Sequence, residues 1–93
     1  MQLAPAAVML TLAVALGACS APPLPEEGSA DARLYTERCG SCHPLYRPGL
    51  LKAKMWEAMI ARMEGEMARR GVPLSTADRD TILAYLKRNA GES

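Results

Sequence analysis

Cys39-Gly40-Ser41-Cys42-His43 is the stretch of sequence that decides the fold. Two residues between the thiols allow one helical turn to present both sulfurs on the same side, and the histidine follows at once. This C-x-x-C-H pattern is the attachment signature of c-type haem, in which the thiols bond to the porphyrin and the imidazole binds the iron. The motif therefore predicts one covalent haem c, attached through Cys39 and Cys42, with His43 as an axial iron ligand.

Three other interpretations of these residues are weaker. A thioredoxin-like C-x-x-C belongs in a βαβ unit, and the sequence has no strand pattern. A zinc site takes about four ligands, whereas the motif supplies three, and the sequence contains only 1 histidine. A chance match is least expected where the single histidine of a short chain lies within the motif.

The composition also favours a fold built around a cofactor. The 93 residues include no Phe and only 4% aromatic residues, which is little apolar material for a self-sufficient core. A covalently bound haem would supply a large apolar body at its centre. The 11 basic and 10 acidic residues leave a formal charge of +1, so no nucleic-acid partner is expected.

Residues 1–18 have the pattern of a lipoprotein signal peptide. The apolar stretch of residues 8–16 is too short for a permanent membrane span. It ends in Leu16-Gly17-Ala18-Cys19, which resembles the bacterial lipobox and implies cleavage before Cys19 and lipidation of its thiol. The sequence departs from the usual signal in having no Lys or Arg before the apolar stretch; a buried helix with an incidental cysteine is the alternative. Ser20, in place of Asp, favours sorting to the outer membrane, on the periplasmic side.

Residues 19–28 are predicted to be a lipid-anchored, proline-rich tether. Three prolines and two acidic residues within residues 20–28 favour an extended, solvated segment with nothing to bury. Residues 29–91 then remain for a single helical haem domain. With two cysteines assigned to haem and one to lipid, all 3 cysteines of the sequence are accounted for.

The domain is predicted to be all-α, with about three helices packed around the haem. Ser29 is expected to cap a first helix that leads into Cys39. A second helix is expected over about residues 54–70, and a third begins after Ser75, with Asp78 as the partner in a capping box. Gly91 is expected to end the third helix. The second helix has an apolar face with spacings of three and four: Trp56, Met59, Ile60, Met63 and Met67.

With these elements, residues 29–91 resemble a small class I-like, monohaem cytochrome c, here exported as a bacterial lipoprotein. The matching stretches are the helix leading into C39-G-S-C-H43, the segment W56-x6-M63, and the closing helix S75-TADRDTILAYL86. The resemblance implies that Trp56 packs on the haem. It also implies that the first and last helices cross, bringing these residues together: Leu34, Tyr35, Leu83, Tyr85 and Leu86.

The resemblance further implies a methionine as the second iron ligand, for which two candidates stay open. In similar cytochromes the ligand follows a Trp by seven residues, which corresponds to Met63. Counting back about eight residues from the cap of the last helix gives Met67 instead. Met63 is preferred. A carbonyl in the loop after the motif, with Pro48 as the candidate, is expected to accept a hydrogen bond from the second nitrogen of His43.

The expected function is single-electron transfer rather than catalysis, because an iron with two axial ligands has no position for a substrate. No catalytic acid, base or nucleophile stands out in the sequence. Redox proteins, such as a periplasmic dehydrogenase or a terminal oxidase or reductase, are the expected partners. The main alternative is a five-coordinate haem that binds or senses a small gas. A lipid-anchored adaptor without haem is a third possibility.

Overall fold

The computed structural model describes residues 23–41 and 43–92, which fold as helices joined by loops. The predicted signal peptide, Cys19 and the attachment residue Cys42 lie outside the described residues. No helix within the described residues is long and apolar enough to cross a membrane. In this part of the chain three α-helices follow one another: α1 (Ala30–Cys39), α2 (Ala53–Arg69) and α3 (Thr76–Arg88). The predicted all-α class is therefore confirmed.

Two of these helices begin at the serines that the sequence indicated. The Ser29 hydroxyl accepts a 3.1 Å hydrogen bond from the backbone N–H of Ala32 at the start of α1. The Ser75 hydroxyl likewise accepts a 3.1 Å bond from the N–H of Asp78 at the start of α3. Each cap stabilises its helix by about 1 kcal/mol. The Asp78 carboxylate lies 3.9 Å from the Arg38 guanidinium, which links α3 to the end of α1.

The end of the last helix differs from the prediction. α3 ends at Arg88 with Asn89 as its C-cap, one residue before the C-cap that a terminating Gly91 implies. Gly91 instead donates a 2.8 Å backbone hydrogen bond to the carbonyl of Leu51. A Cβ at position 91 would lie 2.6 Å from the carbonyl oxygen of Gly49, so this glycine is needed where two backbone segments meet.

The core lies between the three helices. The ring centroids of Tyr35 on α1 and Tyr85 on α3 lie 5.7 Å apart, so the expected packing of the first and last helices is confirmed. Leu34 and Leu83 pack at the edge of the same cluster. The buried members are Ala32, Tyr35, Cys39, Trp56, Ile60, Ile82, Tyr85 and Leu86.

Residues 23–28, called here the N-terminal segment, lie against α3. The Tyr85 hydroxyl donates a 3.0 Å hydrogen bond to the carbonyl of Pro25. The Arg88 guanidinium donates two hydrogen bonds of 2.8 Å to the Glu26 carboxylate. The expectation of an extended segment with nothing to bury is therefore wrong for these residues, because partners about sixty positions away hold them in place. Residues 23 and 26–28 are nevertheless exposed, as expected of a solvated segment.

Candidate haem-binding site

Two adjoining clefts run along α2, facing the end of α1 and the loop after His43. The empty space of the first cleft is about 270 Å³ and that of the second about 390 Å³, open solvent at their mouths included, and both are lined by His43 and Met63. The other residues of the first cleft are Tyr35, Cys39, Tyr46, Trp56, Met59 and Ile60. The other residues of the second are Glu66, Met67 and Arg70. A thiol, an imidazole and thioethers thus meet around a space with aromatic and aliphatic walls, which fits a haem.

His43 is held by its neighbour in the chain. Its Nδ1 lies 2.8 Å from the carbonyl oxygen of Pro44. Because a carbonyl oxygen can only accept, Nδ1 carries the proton, and the lone pair of Nε2 is left to bind iron. The expected carbonyl of Pro48 is the wrong one. It accepts a 2.8 Å hydrogen bond from the Trp56 indole instead.

Cys39 is the last residue of α1 and is only 7% exposed, with its side chain lining the first cleft. The backbone turns sharply after it. Gly40 donates a 3.0 Å hydrogen bond to the Thr36 carbonyl, and a Cβ at position 40 would lie 2.6 Å from that oxygen. Gly40 must therefore be small because it lies against the backbone at the C-terminal end of α1.

Tyr35 ties the loop after His43 to α1. Its hydroxyl donates a 2.6 Å hydrogen bond to the carbonyl of Tyr46, whose ring centroid lies 5.3 Å from that of His43. Burial, with a smaller contribution from nearby Cys39, raises the pKa of Tyr35 above its ordinary value. The phenol therefore stays protonated as a hydrogen-bond donor beside the cleft. Tyr35 is buried in the core, in agreement with the expected packing of the first and last helices, and it also lines the first cleft.

Trp56 anchors the first turn of α2. The side chain is 2% exposed, and its bond to Pro48 joins α2 to the short 3₁₀ helix Pro48–Leu50. One edge of the ring is thereby fixed, while the side chain lines the first cleft. The family resemblance predicted that Trp56 packs on the haem, and its place in the first cleft is compatible with that contact.

The two candidate methionines occupy different places. Met63 lines both clefts, together with His43. Met67 is 5% exposed and lines only the second cleft, and Met59 lines the first cleft without reaching the second. Of the methionines on α2, Met63 is therefore the one that shares both spaces with the histidine.

Sequence reasoning missed the polar end of the second cleft, formed by Glu66 and Arg70. Arg70 follows Met63 by seven residues and Met67 by three, a helical spacing that could have revealed it. The Glu66 carboxylate accepts a 2.5 Å hydrogen bond from Arg69. That bond and the Arg69 charge lower the pKa of Glu66, with smaller contributions from the charges of Arg70 and Arg62.

Sequence comparison identifies one family. A model of the family described as dihaem cytochrome c matches residues 35–93, a stretch that contains the C-x-x-C-H motif, α2 and α3. No curated protein and no solved structure matches the chain.

Proposed function

Because the chain belongs to the dihaem cytochrome c family, with c-type haem as its cofactor, we propose that it carries single electrons with His43 and Met63 as iron ligands. Haem-based electron transfer is the general activity of such proteins. When bound, the haem iron supplies a one-electron change of oxidation state. The residues of the chain have the remaining tasks of holding the group, orienting its ligands and keeping water away.

The observation that carries the proposal is the shared position of His43 and Met63 in both clefts. Pro44 fixes the tautomer of the histidine, so Nε2 is the available nitrogen. A thioether as the other ligand stabilises the reduced iron and gives a high potential. Cys39 and Cys42 would hold the porphyrin by thioether bonds, and Trp56 would provide an apolar wall.

We propose one haem for this chain, although the family description specifies two haems. A second covalent haem would need another C-x-x-C-H motif. The 93-residue sequence contains only 1 histidine, and it lies in the motif at residues 39–43.

The lipobox-like residues before Cys19 support a membrane-tethered position. Residues 19–22 lie between the proposed cleavage site and the docked N-terminal segment, and four residues reach at most about 14 Å. The haem domain would therefore sit close to the membrane surface, on the periplasmic side. Redox proteins at that surface, a dehydrogenase or a terminal oxidase or reductase, are the proposed partners.

Haem staining tests the proposal directly. The protein is produced with its signal and a c-type maturation system, then denatured and extracted with acid and acetone. We expect the wild type to stay red and the double variant Cys39→Ala/Cys42→Ala to lose the colour and most of its folded core. A stable, colourless helical domain in the double variant would contradict the role of haem as part of the core.

The variant Cys19→Ser serves as the matched control, since it removes a third thiol outside the motif. We expect it to retain covalent haem but to become soluble or to stay uncleaved, because lipidation of that thiol is lost. Wild-type protein found unmodified in the periplasmic extract would refute the tether while leaving the electron-carrier proposal intact.

A further inference from the structure

We propose that the Arg70 guanidinium binds a propionate carboxylate of the haem, an inference that rests on the proposed function. Arg70 is an exposed residue at the C-terminal end of α2 that also lines the second cleft. Arginine recognises carboxylates through paired N–H donors and remains charged at every pH of interest. The argument depends on which edge of the porphyrin faces this cleft.

The clefts give the porphyrin a direction. Cys39 lines the first cleft and Arg70 the second, while His43 and Met63, the proposed iron ligands, line both. In haem the vinyl groups and the propionate groups lie on opposite edges of the ring. Thioether bonds to the motif hold the vinyl edge beside Cys39. The propionate edge therefore lies on the far side of the ligand pair, towards the second cleft.

The charges of the second cleft fit an anionic group. Its two charged residues are Glu66 and Arg70, and the Glu66 carboxylate is already bound by Arg69 at 2.5 Å. Within residues 23–41 and 43–92, the Arg70 side chain makes no hydrogen bond and no ion pair. The Arg69 guanidinium thus neutralises the Glu66 carboxylate, and the Arg70 guanidinium remains available for a second carboxylate.

A single cation at this place has a clear physical role. A carboxylate that is partly removed from water loses hydration, and a charge-assisted, two-pronged hydrogen bond offsets that loss. The three other residues of the second cleft, His43, Met63 and Met67, include no second cation with a fixed charge. Arg70 is therefore the residue assigned to the propionate.

Arg69 and Arg70 form a matched pair for the test. They are adjacent and carry the same charge, but only Arg70 lines the cleft. Resonance Raman spectra of the haem-loaded wild type, R69Q and R70Q report the propionate bending mode, which depends on hydrogen bonding to the carboxylate. We expect R70Q to shift this mode, R69Q to leave it at the wild-type position, and R70K to lie between them.

The reduction potential provides a second readout. It is measured against pH in an E66Q background, which removes the one carboxylate that lines the second cleft among the residues that the structure describes. Without Arg70 a propionate gains a proton more readily. The reduction potential of E66Q/R70Q should therefore fall as the pH rises from about 5 to about 8. The expected fall corresponds to a tenfold change in the redox equilibrium constant, about 59 mV for one electron. E66Q/R69Q has the same net charge and should stay flat.

The outcomes separate this inference from the proposed function. An R70Q protein with an unchanged Raman mode and a pH-independent potential would overturn the propionate contact, although the haem is present. Equal changes in R69Q and R70Q would overturn it as well, because they would indicate a general effect of charge. A wild type without covalent haem would overturn the proposed function, and this inference with it.

Discussion

The Trp56 indole N–H donates a 2.8 Å hydrogen bond to the carbonyl oxygen of Pro48, and both residues are buried. This contact joins the start of α2 to the loop that follows the haem motif. The carbonyl of Pro48 was the one expected to accept a hydrogen bond from His43. The histidine is hydrogen-bonded to the carbonyl of Pro44 instead. One buried donor and one buried acceptor thus satisfy each other at the wall of the first cleft.

Replacing Trp56 by Phe should destabilise the protein while keeping an aromatic wall. The carbonyl of Pro48 would lose its donor inside the core, which costs about 1–3 kcal/mol. In a domain of this size, each kcal/mol lowers the melting temperature by about 4–8 °C. Thermal unfolding of the haem-loaded proteins measures the change. Val72→Ala, at a position 49% exposed, is the control and should stay within about 0.5 kcal/mol of wild type. A W56F protein as stable as this control would show that the bond contributes nothing.

Two glycines should respond to alanine in opposite directions. A Cβ at position 91 would meet the backbone oxygen of Gly49 at 2.6 Å, so Gly91→Ala must push two segments apart. A Cβ at position 65, inside α2, would meet only the flexible end of Arg69 at 3.6 Å. Gly65→Ala should therefore stabilise the protein by about 0.5–1 kcal/mol through the better helix propensity of alanine. Urea unfolding of both variants gives the signs, and a destabilising G65A would contradict this account.

The N-terminal segment should give stability a dependence on acid pH. Hydrogen bonds from Arg88 and then Asn89 lower the pKa of Glu26 from 4.5 to about 2. Because the folded-state pKa is depressed, the stabilisation is complete above about pH 4.5 and is lost as the pH falls towards 2. Glu26→Gln should therefore be less stable than wild type at neutral pH and equally stable near pH 2.

Urea unfolding at a series of pH values tests this dependence at low salt, since exposed ion pairs are screened at high ionic strength. Glu27→Gln is the control, because Glu27 follows Glu26 in the sequence and is also exposed. A constant gap between wild type and E26Q from neutral pH to pH 2 would rule out the ion pair as its source.

The local elements of the fold could be predicted because their signals lie within a few residues of each other. Ser29 and Ser75 cap helices through bonds that span three positions. The apolar spacing of α2 likewise predicted a single face, and its bounds differ from the expected ones by one residue at each end. Such features depend on backbone geometry and near neighbours alone.

The contacts that the sequence could not predict are those made across the chain. Three prolines indicated a solvated tether, but Tyr85 and Arg88 supply partners for residues 23–28 that no local pattern reveals. The choice between the carbonyls of Pro44 and Pro48 depends on where the Trp56 side chain lies. Helical spacing alone put Met63 and Met67 on one face, and only the shared clefts distinguish them.

The identity of the second iron ligand is the last prediction. Met63→Ala should remove the weak far-red absorption band that methionine bonding gives to ferric haem, and it should open a position for carbon monoxide. Its reduction potential should fall well below that of wild type, because the thioether favours ferrous iron. Met67→Ala should keep the band but lose about 2–5 kcal/mol of stability, since this side chain is only 5% exposed.

Other outcomes for the two methionine variants would lead to different conclusions about the second iron ligand. Loss of the band in Met67→Ala, with the band retained in Met63→Ala, would move the ligand by one helical turn and leave the electron-carrier proposal in place. If both variants retain the band, Met59 becomes the next candidate, because it lines the first cleft with His43. A wild type that lacks the band and already binds carbon monoxide would instead favour the gas-binding alternative. In that case neither thioether reaches the iron, and the position opposite His43 is open to a ligand.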